Sequence, residues 1–201
     1  MPEAPNVLLI LAGPAGVGKS TLCERLVREI PGFERVVTAT TRPPRPNEVN
    51  GRDYHFLSEA EFDAGLAAGD FLEWAWVHRK YRYGTPKSSV LERLKHTCLV
   101  MNIDVQGVRS IRSAAQETPA LRGRLVTMFI APDSMDVLRE RLQGRGPLQA
   151  EELERRLQSA ELEMADRFTY DYIIHSASKE QDFRALLDYW EQAKAKLVRG
   201  H

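Results

Sequence analysis

Val7-Leu8-Leu9-Ile10-Leu11-Ala12-Gly13-Pro14-Ala15-Gly16-Val17-Gly18-Lys19-Ser20-Thr21 is the stretch that decides the fold. The unbroken apolar run over residues 7–12 predicts a strand buried on both faces, as in a parallel sheet. Glycines 13, 16 and 18 punctuate a loop. Leu22, Leu26 and Ile30 then recur every fourth position between Glu24, Arg25 and Arg28. That spacing predicts an amphipathic helix, which Pro31-Gly32 ends. Residues 13–20 match G-x-x-x-x-G-K-[ST], a pattern expected by chance in on the order of 1% of chains this long. Its glycines allow backbone N–H groups to converge on an anion, and the following helix adds its positive end. The stretch from Gly13 to Thr21 is therefore the expected nucleoside triphosphate site. Lys19 is expected to reach the β- and γ-phosphates, and the Ser20 hydroxyl to ligate Mg²⁺.

Strand, glycine loop and helix in that order open an α/β domain. Three further buried strands are predicted at Cys98 to Asp104, Leu125 to Ile130 and Tyr170 to Ile174, with helices at Val105 to Ala115, Ser134 to Leu142, Ala150 to Ala165 and Lys179 to Val198. Asp104 ends its strand, where an acid that orders magnesium would sit. Between the first and second buried strands lies a region of different character. It holds β-branched Val36 to Thr41, the stiff Pro43-Pro44-Arg45-Pro46, a short strand Tyr54 to Phe56, a capping box at Ser58/Glu61, a hairpin over Phe71 to Val77 and Tyr81 to Tyr83, and a helical pattern over Lys87 to Lys95. This predicts a small β-rich insertion beside the main sheet. Arg42 and Arg45, three apart on the proline-stiffened loop, suit phosphate oxygens, with Tyr54 and Tyr83 as added phenolic donors.

Composition narrows the function classes. The 201 residues carry 28 basic and 28 acidic side chains and so no net charge, which argues against general nucleic-acid binding. Two cysteines make no disulfide framework. No apolar run reaches the roughly 20 residues of a membrane span, and the start lacks a signal-peptide pattern. The expectation is a soluble, cytoplasmic chain without nucleic-acid or membrane partners; homo-oligomerisation is left open. Cys23 and Cys98 are expected to be buried, and Trp74, Trp76 and Trp190 to serve packing.

The phosphate loop, Thr38-Ala39-Thr40-Thr41-Arg42-Pro43-Pro44-Arg45, Gly51 to Phe56, Phe71-Leu72-Glu73-Trp74-Ala75, Tyr83-Gly84-Thr85, Ile103-Asp104-Val105-Gln106-Gly107 and Gly144-Arg145-Gly146 together resemble guanylate kinase. They occur in that family's order and cover about Val7 to Ala193. The resemblance implies ATP + GMP ⇌ ADP + GDP, with ATP and GMP as ligands and Mg²⁺ as cofactor. It implies a P-loop core with a parallel sheet flanked by helices (1–34, 88–132 and 167–201), a GMP-binding β-rich insertion (35–87) and a helical lid (133–166). It puts Thr38, Arg42, Arg45, Tyr54, Glu73, Tyr83, Thr85 and Asp104 at the GMP site. Arg141, Arg145 and Arg156 become lid arginines that gather around phosphates, so that Lys19, Arg42, Arg141, Arg145 and Arg156 carry the transfer. The Glu73 carboxylate would accept guanine N1–H and its 2-amino group, a donor pair that adenine lacks. Arg141 and Arg145, four apart, could share one helix face.

Several positions depart from the family pattern. Asn102 stands for a usual carboxylate, His175-Ser176 for a usual Asn-Asp, Thr38 and Thr85 for common serines, and the hairpin over residues 76–83 is one residue longer. The competing readings are a P-loop kinase for another small phosphorylated acceptor and a guanylate-kinase-like binding module. Intact Glu73 and Arg42 oppose the first, and Lys19 and Ser20 oppose the second.

Overall fold

The computed structural model describes residues 5–77, 80–144 and 149–199. Five parallel strands make the main sheet, in the order β2 (Phe33–Arg35), β7 (Cys98–Asn102), β1 (Leu8–Ala12), β8 (Leu125–Pro132) and β9 (Tyr172–Ser176). The central strand explains the apolar run. Leu9 and Leu11 face α1 (Lys19–Glu29), α4 (Met135–Gln143), α5 (Ala150–Ala165) and α6 (Lys179–Arg199), while Leu8, Ile10 and Ala12 face α3 (Val105–Glu117) and the 90–94 turn. With both faces covered, no position of β1 can be polar without burying an unpaired group.

The insertion is a four-stranded sheet in the order β4 (His55–Phe56), β3 (Ala39–Thr40), β6 (Tyr81–Pro86) and β5 (Phe71–Val77), with α2 (Glu59–Ala67) laid against it. The predicted capping box starts α2: Ser58 Oγ accepts from Glu61 N, and Glu61 returns a bond to Ser58 N. Fully buried Phe62 stacks on Phe71 with ring centroids 4.6 Å apart.

The structure corrects five local expectations. Of the strand expected over Val36 to Thr41 only Ala39–Thr40 form one, in the insertion's sheet; β2 lies just before that stretch and pairs with β7 through Arg35, and the chain leaves the core after Val36. The main sheet thus gains a short edge strand that its three residues were too few to announce. Lys87 to Lys95 is not a continuous helix but turns ending in a 3-10 turn at Arg93–Lys95. Val90 and Leu94 are still buried four apart, as the pattern required, but Ser88 and Ser89 are weak helix formers there. The last strand lies two residues later than expected, at Tyr172–Ser176. Trp74 and Trp76 are 42% and 52% exposed, and only Trp190 is core. Cys23 is buried, and burial pushes its thiol up to about 12; Cys98 is only half-buried.

Candidate active site

The phosphate loop joins β1 to α1. A side chain at Gly13, where φ is +135°, would put Cβ 2.4 Å from the Ile130 carbonyl oxygen, so the loop rests directly on β8. Gly16 and Gly18 also take positive φ, the conformation that turns consecutive N–H groups inward. Gly18 precedes α1 and supplies no side-chain cap, so the first N–H groups of the helix are left for an anion. Lys19 Nζ donates to the carbonyls of Gly13 (2.5 Å) and Pro14 (2.9 Å). This folds the ammonium back over the loop. Ala15 forms the exposed tip, while Ser20 and Thr21 are exposed at the start of α1. Gly16, Val17, Gly18 and Thr21 line a cavity of about 680 Å³ together with Arg25, Arg141, Ala177 and Asp182.

A second, smaller cavity of about 120 Å³ lies where the insertion meets α3. Thr38, Tyr54, Glu73, Ala75, Tyr83, Asn102 and Asp104 line it. The β5–β6 register sets Glu73 opposite Thr85, and the Thr85 hydroxyl donates to Glu73 Oε1 at 2.6 Å. Burial raises the Glu73 carboxyl to about 7, against the lowering by Thr85, and the Asp104 charge adds to the rise. Gly84 lets β5 and β6 close here, since a Cβ would meet the Phe71 ring at 2.8 Å and the Glu73 carbonyl at 3.1 Å. Asp104 caps α3: its Oδ1 accepts from Gly107 N at 2.7 Å. It therefore serves both the helix and the cavity.

Arg42 is 8% exposed. Its Nε donates to the Tyr83 hydroxyl (3.1 Å), its Nη1 to the Pro43 carbonyl (2.7 Å) and its Nη2 to Glu48 Oε1 (2.9 Å). The Glu48 bond holds the guanidinium firmly charged. Glu48 also accepts from Arg45 N at 2.7 Å, and the two bonds keep its carboxyl below the usual range. Tyr54 packs edge-on against Tyr83, with ring centroids 5.9 Å apart. Arg42, Tyr54 and Tyr83 thus form one cluster, while the Arg45 residue is exposed on the loop beside it.

Two of the expected lid arginines lie apart in the structure. Arg141 lines the larger cavity but is fixed by Ser176 and Ala177. Arg156 pairs with Glu152 one turn back on α5 and is absent from the lining of the larger cavity. Arg145, and with it the shared helix face, lies outside the described residues. His175 is exposed and does not line the cavity, whereas Ser176 beside it is buried. Sequence reasoning missed three acids. Glu48 anchors Arg42 from six residues away, and Asp182 lines the larger cavity. Glu163 on α5 has a buried oxygen, Oε2, with no hydrogen-bond partner. Burial raises the Glu163 carboxyl, with Lys19 opposing and Asp104 adding. No spacing signal marks any of the three as more than a solvated helix or loop acid.

Comparison with known proteins agrees with this geometry. The family model described as guanylate kinase matches residues 6–193. A guanylate kinase of Gloeobacter violaceus is 48% identical over 169 residues, covering 83% of this chain and 78% of that protein. One of Symbiobacterium thermophilum is 40% identical over 202 residues, covering 100% and 92%. The crystal structure of guanylate kinase from Anaplasma phagocytophilum superposes with a TM-score of 0.72 at 26% identity, covering 96% of this chain and 88% of that one. A phosphate loop on one side, a buried carboxylate–hydroxyl pair on the other and a family match across nearly the whole chain have one meaning: this chain belongs to the guanylate kinase family.

Proposed function

We propose that the chain transfers the γ-phosphoryl group of ATP to GMP, giving ADP and GDP. The observation that carries this reading is Glu73, sunk in the smaller cavity with Thr85 on one of its oxygens. Guanine presents N1–H and its 2-amino group side by side, and an ionised carboxylate accepts both. Adenine presents no such pair. Thr38 lies in the same wall and can hold the base against it. The GMP phosphate then falls to Arg42, Arg45, Tyr54 and Tyr83, with Arg42 exchanging Glu48 for phosphate oxygens. The larger cavity takes ATP, whose phosphates lie on the N–H groups of residues 13–21 and on Lys19.

Phosphoryl transfer asks the protein to align two phosphates, offset their charge and exclude water, so no general base is assigned. The donor set fits magnesium, since the Ser20 hydroxyl and Asp104 carboxylate are hard oxygen ligands to which nucleotide phosphates and water would add. When bound, the ion would offset charge on the transferring group. The insertion (35–87) serves as the acceptor-binding part and residues 133–166 as the lid, bringing Arg141, Arg145 and Arg156 toward the phosphates. Among the described residues no helix is long and apolar enough to cross a membrane. A coupled assay of ADP formation with ATP and a panel of nucleoside monophosphates tests the reading. Turnover confined to GMP supports it, and equal rates with AMP or none with GMP overturn it.

A further inference from the structure

Arg35 ends β2 at the carboxyl edge of the parallel sheet, the edge on which ligands bind in open α/β folds. The β2–β7 register sets it opposite Val100. Phe33, two residues earlier, and Val100 share one core cluster with Leu22, Cys23 and Leu26 of α1. Strand alternation therefore turns the Arg35 side chain to the α1 face. Its carbonyl accepts from Arg93 Nη1 at 3.2 Å. Its guanidinium is half-buried and, among the described residues, makes no hydrogen bond and no ion pair. Asn102, two residues beyond Val100 on the same face of β7, offers an amide where the family pattern has a carboxylate. The adjoining strand thus supplies no acid to claim the charge.

The field of Arg35 reaches two elements. Burial pushes the Tyr54 hydroxyl up and Tyr83 adds to the rise, while the Arg35 charge opposes it, ahead of that of Arg42. On α1, burial raises the Cys23 thiol, and the leading opposing charge is again Arg35, ahead of Lys19. One guanidinium thus stands between α1 and the cluster of Arg42, Tyr54 and Tyr83. It lines neither cavity, so it reads neither base, and a phosphate is the anion left for it.

We propose that Arg35 is a further substrate-contacting arginine, fixed to the core, that takes the phosphate of the acceptor nucleotide as the insertion closes. The inference rests on the GMP reading above. A partly buried charge without a partner costs free energy, and a pair of phosphate oxygens matching the guanidinium fork recovers it. Arg42 and Arg45 ride on the insertion, and Arg42 must first leave Glu48. Arg35 stays with the main sheet and needs no exchange. It gives the acceptor phosphate a fixed point on the side of α1 and the phosphate loop, where transfer has to occur.

The test is NMR-monitored titration of wild type, Arg35→Met and Arg35→Gln with GMP, guanosine and ATP. Guanosine offers the same base without the phosphate, and methionine keeps an apolar stem without the fork. Both variants are expected to weaken GMP about 10- to 100-fold and to leave guanosine and ATP within about twofold. A merely structural role would weaken guanosine together with GMP. GMP binding within about twofold of wild type in a folded variant, a parallel loss for guanosine, or a loss for ATP as large as that for GMP overturns the proposal. Should Arg35→Met fail to fold, Arg35→Gln, polar but uncharged, decides by the same criterion. A wild type that binds neither GMP nor guanosine would instead refute the proposed function.

Discussion

Replacing Glu73 by glutamine should trade activity for stability in a pH-dependent way. The side chain keeps its shape, and its amide oxygen can still accept from Thr85, 2.6 Å away in the native pair. For GMP, the amide nitrogen turns one acceptor into a donor facing a guanine donor. Losing a charge-assisted bond and gaining that clash costs about 2–4 kcal/mol, or roughly 30- to 1000-fold in kcat/KM. The ATP Michaelis constant should stay within about twofold, because the proposed ATP site is the other cavity. Stability should move the opposite way. Burial raises the carboxyl from 4.5 to about 7, so between those values the folded chain binds a proton that the unfolded chain has released. Stability contributed by that proton is fully present below about pH 4.5 and lost as pH rises through 7. At about 1.4 kcal/mol for each pH unit, the full loss is about 3 kcal/mol. Glutamine has no such loss. Its melting temperature should match wild type at pH 5 and exceed it by roughly 5–10 °C at pH 9. Calorimetric melts at both pH values, beside kcat/KM for GMP and AMP, measure both sides. An equal increment at pH 5 and pH 9 would refute the burial argument, and a fall in GMP kcat/KM below about threefold would refute base reading by Glu73.

The same titration predicts that GMP binds the ionised carboxyl and releases a proton. Its dissociation constant should therefore rise up to about tenfold for each pH unit below 7, and a flat profile from pH 5.5 to 8 would count against it. Lys19→Ala should abolish turnover in a folded protein, since the ammonium already sits over the loop; wild-type rates, with an unchanged circular dichroism melt, would reject the phosphate-loop assignment. The two cavities share no lining residue, so the reacting phosphates have to be brought together by closure that also excludes water. Small-angle scattering should show a smaller radius of gyration with GMP and a nonhydrolysable ATP analogue than without, and superimposable profiles would oppose closure.

The sequence by itself determined what is local or periodic. The phosphate loop could be read because its chemistry lies in eight contiguous residues with fixed backbone demands, and β1 because burial on both faces leaves an uninterrupted apolar run. The capping box of α2 was likewise legible, since both its partners lie within one turn. Glu73 and Thr85 gained meaning only beside the other guanylate-kinase-like blocks; a glutamate on a hairpin has no signature of its own. Tertiary structure alone decided which groups pair across distance. The β5–β6 register brings Thr85 onto Glu73, and burial in that fold, not composition, raises the carboxyl. Short β2 could not be foreseen because three residues carry too little pattern, and its membership in the core depends on β7 lying alongside. Glu48 on Arg42, and Ser176 on Arg141, follow from loop path and helix packing. Their hydrogen bonds join residues that no period relates, so only the folded chain brings them together.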